Sequence, residues 1–196
     1  VFLPLGMNTT FFNPLTEKLH RILPTEIDTE KNLIHGIVHD ENARSLGGIS
    51  GHAGLFSTGH DLAIFSQMML NEGLYGWKRI FKTETVDLFT QTVYSFEDQN
   101  RSLGWDKPDG VCSGGIFLSD SSFGQTGFTG TSLWIDPEHD LFVILLTNAV
   151  HPKREMKKPN YFDWRQKIHS AVYESLGLVK INPNLTLRKR WEKEKN

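Results

Sequence analysis

The sequence predicts an α+β fold, an antiparallel sheet flanked by helices, and three observations predict it. Leu62, Phe65 and Met69, with Ile64 and Met68, recur at helical spacing. The stretch from Phe128 to Thr147 reads as two apolar strands around the turn Asp136-Pro137-Glu138-His139-Asp140. A second helical stripe follows, in Trp164, Ile168, Val172 and Leu176. Helices, then antiparallel strands, then a helix is not the strand-helix alternation of a parallel sheet.

The elements follow in order. Residues 1–34 are mixed, with turn signals at Pro4-Leu5-Gly6 and Asn13-Pro14. Residues 35–56, "HGIVHDENARSLGGISGHAGLF", are glycine-rich and predict a long ordered loop, a feature that tends to be functional. The helix over Leu62–Met69 is capped by Ser57 or Thr58, with Asp61 three residues after Thr58. Gly73 suits its left-handed end. A short helix follows Thr83, through Val86 and Phe89. Residues 94–110 are polar and predict a loop. Gly115-Ile116-Phe117-Leu118 predicts a strand. "LFVILL" predicts a strand covered on both faces. Residues 151–160, "HPKREMKKPN", are a basic loop. The last helix runs from Tyr161 to Leu176, with Tyr161, Arg165 and Tyr173 flanking a stripe that should cover one face of the sheet. Gly177 ends it.

Composition narrows the partners. The 196 residues carry a net charge of −2 and are 38% hydrophobic, enough for a core. Without a basic excess, nucleic acid is not an expected partner. No apolar run reaches the length of a membrane span, so no transmembrane segment is expected. Cys112 stands alone, which rules out an internal disulfide or a cysteine zinc site. In "GVCSGGIFL" it reads as a small buried hydrophobe rather than a nucleophile. The opening "VFLPLGMNTTFFNP" has neither the basic region nor the cleavage site of a signal peptide. It reads as the middle of folded sequence, so the chain is expected to start partway through a larger protein. Residues 1–180 read as one unit and 181–196 as a polar, basic tail, with Arg188 to Lys195 a solvated terminus.

Few patterns carry chemistry. His35 and His39 have the i, i+4 spacing of a helical metal pair, but Gly36, Ile37 and Val38 argue against a helix there. No metal is expected, and His52 and His60 read as hydrogen-bonded or exposed. "GGISGHAG" holds Ser50, but its glycine comes one position too early for a nucleophile elbow. No phosphate- or dinucleotide-binding glycine pattern occurs, so no cofactor is expected. "FGQTGFTGTS", residues 123–132, remains. A Thr-Gly pair beside an edge strand lets a substrate or another backbone approach closely. Its free N–H groups could bind a peptide-like ligand or an oxyanion. The alternative is a plain bend before a hairpin.

The sequence resembles a known family: serine beta-lactamases of the class C type, with their penicillin-binding-protein-like peptidase and esterase relatives. "GQTGFTGTSLWIDPEHDLFVILLTN" looks like the family's Lys/His-Thr-Gly signature and its hairpin. "GGISGHAGLFSTGHDLAIFSQMMLNEG" looks like the helical segment before it, and "VFLPLGMNTTFF" like the family's "PLGM" stretch. The agreement runs from residue 1 to about 176. It implies a beta-lactamase/DD-peptidase-like fold, present here as its C-terminal part, and an acyl-enzyme mechanism on amide or ester bonds of a small-molecule or peptide-like substrate. The resemblance places Gln125, Thr126 and Gly127 in the third signature, with Phe128 donating an oxyanion-hole N–H. Two departures stand out. No Ser-x-x-Lys and no Tyr-x-Asn occurs in the 196 residues, so nucleophile and base are expected from an N-terminal part of the same domain. Gln125 stands where the family has Lys or His, which favours the alternative of a non-catalytic binding or structural module. Family members often work outside the cytoplasm, so the resemblance implies a periplasmic or secreted location.

Overall fold

The computed structural model describes residues 1–96, 99–157 and 161–187. The chain opens with one helical turn, α1 (Phe2–Leu5), closed by Gly6 at φ 75°. Strand β1 (Phe11–Phe12) pairs with β2 (Leu55–Phe56), Phe11 opposite Phe56. Between them lies α2 (Glu41–Ser45), inside the stretch that the glycines predict to be a loop. Asp40 explains it: its carboxylate accepts the Ala43 N–H at 2.8 Å, and an N-cap of this kind starts a helix without an apolar stripe.

Helix α3 (Gly59–Leu70) has the predicted Thr58 cap. Its Asp61 is 2% exposed and accepts from the Thr9 N–H and the Thr10 hydroxyl, both at 2.8 Å, tying the helix to the N-terminal segment. Gly73 follows at φ 90°; a Cβ there would meet the Phe81 carbonyl oxygen at 2.4 Å. A tight hairpin, β3 (Leu74–Tyr75) and β4 (Lys78–Arg79), leads to α4 (Thr83–Thr90). Residues 94–110 contain a hairpin rather than only loop: β5 (Tyr94–Phe96) and β6 (Gln99–Arg101). A short strand pair at a solvated edge needs no apolar face, so its polar composition hides it.

The main sheet is β7 (Phe123–Thr126), β8 (Ser132–Asp136) and β9 (Leu141–Leu145), antiparallel and in that order. On the free side of β7, Gly124 exchanges two backbone hydrogen bonds with Asp106, of 2.8 and 3.0 Å. The strand predicted from Phe128 to Ile135 starts only at Ser132. Phe128–Thr131 are turn, closed by the Gly127 N–H on the Thr131 carbonyl at 2.8 Å and the Gly130 N–H on the Gly127 carbonyl at 3.1 Å. Nor is 115–118 a strand. Gly115 sits at φ 92°, and the Ile116 N–H goes to the Ser170 hydroxyl while its carbonyl takes the Asn182 N–H. The backbone there is satisfied from α5 (Tyr161–Ser175) and the segment after it, not by a neighbouring strand.

Side chains alternate across the sheet. Phe123, Leu133, Ile135 and Phe142 pack with Leu5, Met7, Met68, Met69 and Val86 on the α3 side. Trp134 and Val143 pack with Cys112, Phe117, Leu118, Tyr173 and Leu185 on the α5 side. The "LFVILL" strand is less covered than predicted: only Val143 is buried, and Leu146 is 47% exposed. It is the outer strand of the sheet as described.

Helix α5 does cover the sheet, but of its predicted apolar stripe only Val172 packs against the core there. Trp164 and Leu176 are 53% and 56% exposed, whereas Asp163, Arg165, Gln166, His169, Ser170 and Tyr173 are buried. The inward groups bond loops and strands: Gln166 donates to the Cys112 and Thr186 carbonyls, and the Tyr173 hydroxyl donates to Asp136 at 2.8 Å. Polar side chains that pair with backbone can face inward at little net cost, so apolar periodicity misassigns this helix. Residues 182–187 run back against Gly110 and Ile116. The solvated reading of Arg188 to Lys195 lies outside the described residues.

One ionic cluster joins distant parts of the chain. Glu26, 6% exposed, accepts the Arg154 guanidinium at 2.8–3.1 Å and the His39 ring at 2.7 Å. Arg154 also reaches Glu41. Chiefly through the Arg154 side chain, and against the opposing effect of burial, the Glu26 carboxyl is lowered from 4.5 to about 2.

Two predictions follow from the packing. Gly124→Ala puts a Cβ 2.3 Å from the Trp134 ring, and should cost about 1–3 kcal/mol in a urea melt, as overpacking does. Glu26 is depressed, so its contribution is full above pH 4.5 and is lost as pH falls toward about 2. Glu26→Gln should lower stability by about 2 kcal/mol at neutral pH, and flatten the fall in stability over that acid window. An unchanged acid profile would contradict this.

Candidate functional site

The candidate site is the end of β7 and the turn that follows it, Gln125–Phe128. Its position is set by pairing on both sides of Gly124, to Trp134 on β8 and to Asp106. Past Gly124 no strand among the described residues lies beside the outer side of β7. The Thr126 N–H is taken instead by the side-chain oxygen of Gln125 at 3.0 Å. The Gln125 side-chain nitrogen donates to the Gly104 carbonyl at 3.2 Å, so both ends of its amide are engaged.

Gly127 has a structural reason of its own. A Cβ there would meet the Thr131 hydroxyl oxygen at 2.3 Å, so any side chain at this position would have to displace that hydroxyl. Its N–H turns in to Thr131. The next N–H, of Phe128, makes no hydrogen bond to any of the described residues. Both flanking carbonyls are held by cations. Arg165 donates to the Gly127 carbonyl and Lys157 to the Phe128 carbonyl, each at 2.6 Å. The Phe128 ring, 58% exposed, stacks on His39 with centroids 5.5 Å apart and carries the Lys157 ammonium 4.2 Å from its centre. Burial, and Arg165 second, lower the Lys157 pKa.

The structure therefore brings Gln125, Thr126, Gly127 and Phe128 together, as their adjacency demands, and adds His39, Lys157 and Arg165. Those three come from distant segments. His39 was notable only for its spacing from His35, and the two point apart: His35 bonds the Leu19 and Ile22 carbonyls, and His39 bonds Glu26. Arg165 sits beside the apolar stripe of α5 and gives no sequence signal of its contact with Gly127.

Other candidates resolve differently. Cys112 is buried, and burial pushes its thiol up to about 12, far from a thiolate nucleophile. Ser50 donates to or accepts from His52 Nδ1 at 2.7 Å, and His52 Nε2 lies 3.0 Å from Asp40. The string is open to solvent and shares the Asp40 oxygen that caps α2, so it locks the glycine loop. Among the described residues no group of three or more His, Cys, Asp or Glu could hold a metal ion.

Comparison with known proteins gives the family. The family model described as Beta-lactamase matches residues 1–167. Curated relatives include a putative D-alanyl-D-alanine carboxypeptidase of Escherichia coli (strain K12), 40% identical over 83% of this chain and 42% of the relative. The protein of that name from Salmonella enteritidis PT4 (strain P125109) is 39% identical over the same shares. The chain thus spans less than half the length of these relatives. Among solved structures, the LovD6 mutant of simvastatin synthase from Aspergillus terreus aligns over 90% of this chain and 49% of its own, with TM-score 0.62 and 17% identity. A penicillin-binding protein homologue from Caulobacter crescentus aligns over 89% and 50%, with TM-score 0.59 and 13% identity. At such identities the structures speak for the fold, and the sheet with α3 on one face and α5 on the other is part of it. With the family model covering most of its length, the chain belongs to the beta-lactamase family.

Proposed function

We propose that this chain is the C-terminal part of a beta-lactamase-related serine hydrolase that acts on amide or ester bonds through an acyl-enzyme. The observation that carries the reading is the Phe128 N–H, which has no acceptor among the described residues, whereas the N–H groups of Gly124, Thr126 and Gly127 before it are each bonded. A serine oxygen adding to a substrate carbonyl carbon turns the carbonyl oxygen into an oxyanion, and a fixed N–H aimed at that oxygen lowers the barrier. The tetrahedral species then expels the amine or alcohol, which takes a proton. Water later adds to the ester and releases the acid. In this reading the serine and its base come from the N-terminal part of the domain, since neither Ser-x-x-Lys nor Tyr-x-Asn occurs in this sequence.

The surface agrees with such a partner. The exposed Trp164 on α5, Leu176 just after it and the half-covered outer strand β9 are apolar areas of the kind that another part of a domain buries. The names of the curated relatives favour a peptide amide ending in D-alanine as the substrate. The second reading, a non-catalytic module, has Gln125 in its favour. Its uncharged amide is tied up between Gly104 and Thr126, and it offers no cation to a substrate.

Full-length protein should be labelled by a fluorophosphonate and should hydrolyse at least one of nitrocefin, p-nitrophenyl esters or D-alanyl-D-alanine peptides. Inertness to all of them sinks the catalytic reading. Gln125→Lys and Gln125→His separate the two readings. A charge-assisted hydrogen bond contributes about 1.5–3 kcal/mol, so acylation should rise about 10- to 100-fold if the protein is an attenuated enzyme. No change would favour the binding module.

A further inference from the structure

We propose that Arg165 is a positioning residue that fixes and polarises the Phe128 N–H as an oxyanion donor, with Lys157 helping to fix Phe128 from its other carbonyl. The inference rests on the acyl-transfer reading above and goes on to say what holds its key atom in place.

The geometry begins with one peptide unit, Gly127–Phe128. Its carbonyl accepts the Gly130 N–H at 3.1 Å and the Arg165 guanidinium at 2.6 Å. In a trans peptide the N–H points away from the carbonyl. Clamping the oxygen from the α5 side therefore aims the Phe128 N–H to the opposite side, away from the helix. The clamp is rigid, because Arg165 is 2% exposed and enters from a helix rather than a loop.

The clamp is also electrical. A cation on a carbonyl oxygen draws electron density through the amide, and the N–H of that amide becomes a better donor. Lys157 sits on the next carbonyl, that of Phe128, at 2.6 Å; that amide ends in the Thr129 N–H, so Lys157 contributes to fixing Phe128 rather than to polarising its N–H. Lys157 lies over one side of the Phe128 ring, which also stacks on His39, and the Glu26–Arg154 cluster holds His39. Phe128 is thereby gripped through both flanking carbonyls and through its ring. The field of Arg165 is felt at neighbouring groups: after burial, it is the next cause that lowers both Lys157 and His169.

A merely structural Arg165 would anchor α5 to the turn and nothing more, so the test needs readouts that anchoring does not move. Full-length protein and its Arg165→Gln, Arg165→Lys and Lys157→Met variants would be assayed on p-nitrophenyl butyrate. The Phe128 amide would be followed by ¹H–¹⁵N NMR, with a thermal melt as the folding control. Arg165→Gln should lower kcat about 10- to 100-fold with KM held within about twofold, since the interaction is made in the transition state. Arg165→Lys should restore part of kcat, and the Phe128 amide proton should move upfield in Arg165→Gln and by a smaller amount in Arg165→Lys. Wild-type kcat in Arg165→Gln with an unmoved amide overturns the proposal. If Arg165→Gln does not fold, an unchanged kcat in Lys157→Met together with an unmoved amide in Arg165→Lys overturns it. If wild-type protein turns over no substrate, the acyl-transfer reading fails instead, and the amide shift still decides whether Arg165 polarises this peptide.

Discussion

The indole of Trp134 is the contact on which the arrangement around the sheet depends. It is 2% exposed, lies against Gly124 on the neighbouring strand and Gly114 in the loop above, and donates to the Ser113 hydroxyl at 3.0 Å. A Cβ at either glycine would fall within 2.6 Å of the ring. Both glycines are therefore fixed by packing, and the ring fixes the register of β7 against β8. A slip of one residue would turn Phe123 from the α3 core to the opposite face. It would also move the turn at Gly127 away from Thr131. The register of one tryptophan thus carries through to the position of the Phe128 N–H.

The face of the sheet on which Trp134 lies is closed by an unusual helix. A helix over a sheet ordinarily buries an apolar stripe. Here α5 buries Arg165, Gln166, His169 and Ser170, and each reaches a specific atom: the Gly127 carbonyl, the Cys112 and Thr186 carbonyls, the Ser132 hydroxyl at 2.9 Å and the Ile116 N–H. Apolar contacts are non-directional and would hold α5 to the sheet in several positions. Hydrogen bonds to named loop atoms hold it in one. Burial, with Arg165 second, lowers His169 to about 4, so this bond is made by a neutral imidazole at physiological pH. The helix is thus a ruler for the loops as much as a lid for the core.

These two features explain what could be read from the sequence. Helix α3 was legible because its cap, its apolar spacing and its stop glycine are local, and each has one physical meaning. The hairpin turn at Asp136–Asp140 was legible for the same reason. The start of β8 was not, because Phe128 and Thr131 suit a strand by composition, and only the Gly127–Thr131 closure shows that they form a turn. Helix α5 was legible in extent but not in facing. Its apolar stripe has the right period, and the polar residues that win the buried side do so through partners up to 54 residues away. The Glu26–Arg154 pair, 128 residues apart, leaves no trace in either local segment.

The same reasoning bears on Gln125. The Gln125 side chain carries no charge, and its amide serves the local backbone by joining Thr126 to Gly104. Positive charge has not left the neighbourhood, however. Arg165 and Lys157 stand on the two carbonyls just beyond it, a few residues along the same turn. A cation at the head of the strand can act on a substrate directly, whereas cations behind the turn act through the peptide group. The second arrangement keeps the charge covered and leaves the strand edge neutral. On the acyl-transfer reading proposed above, such an arrangement would strengthen the Phe128 N–H as a donor without competing for substrate carboxylates, and recognition of a charged substrate end would fall to other residues.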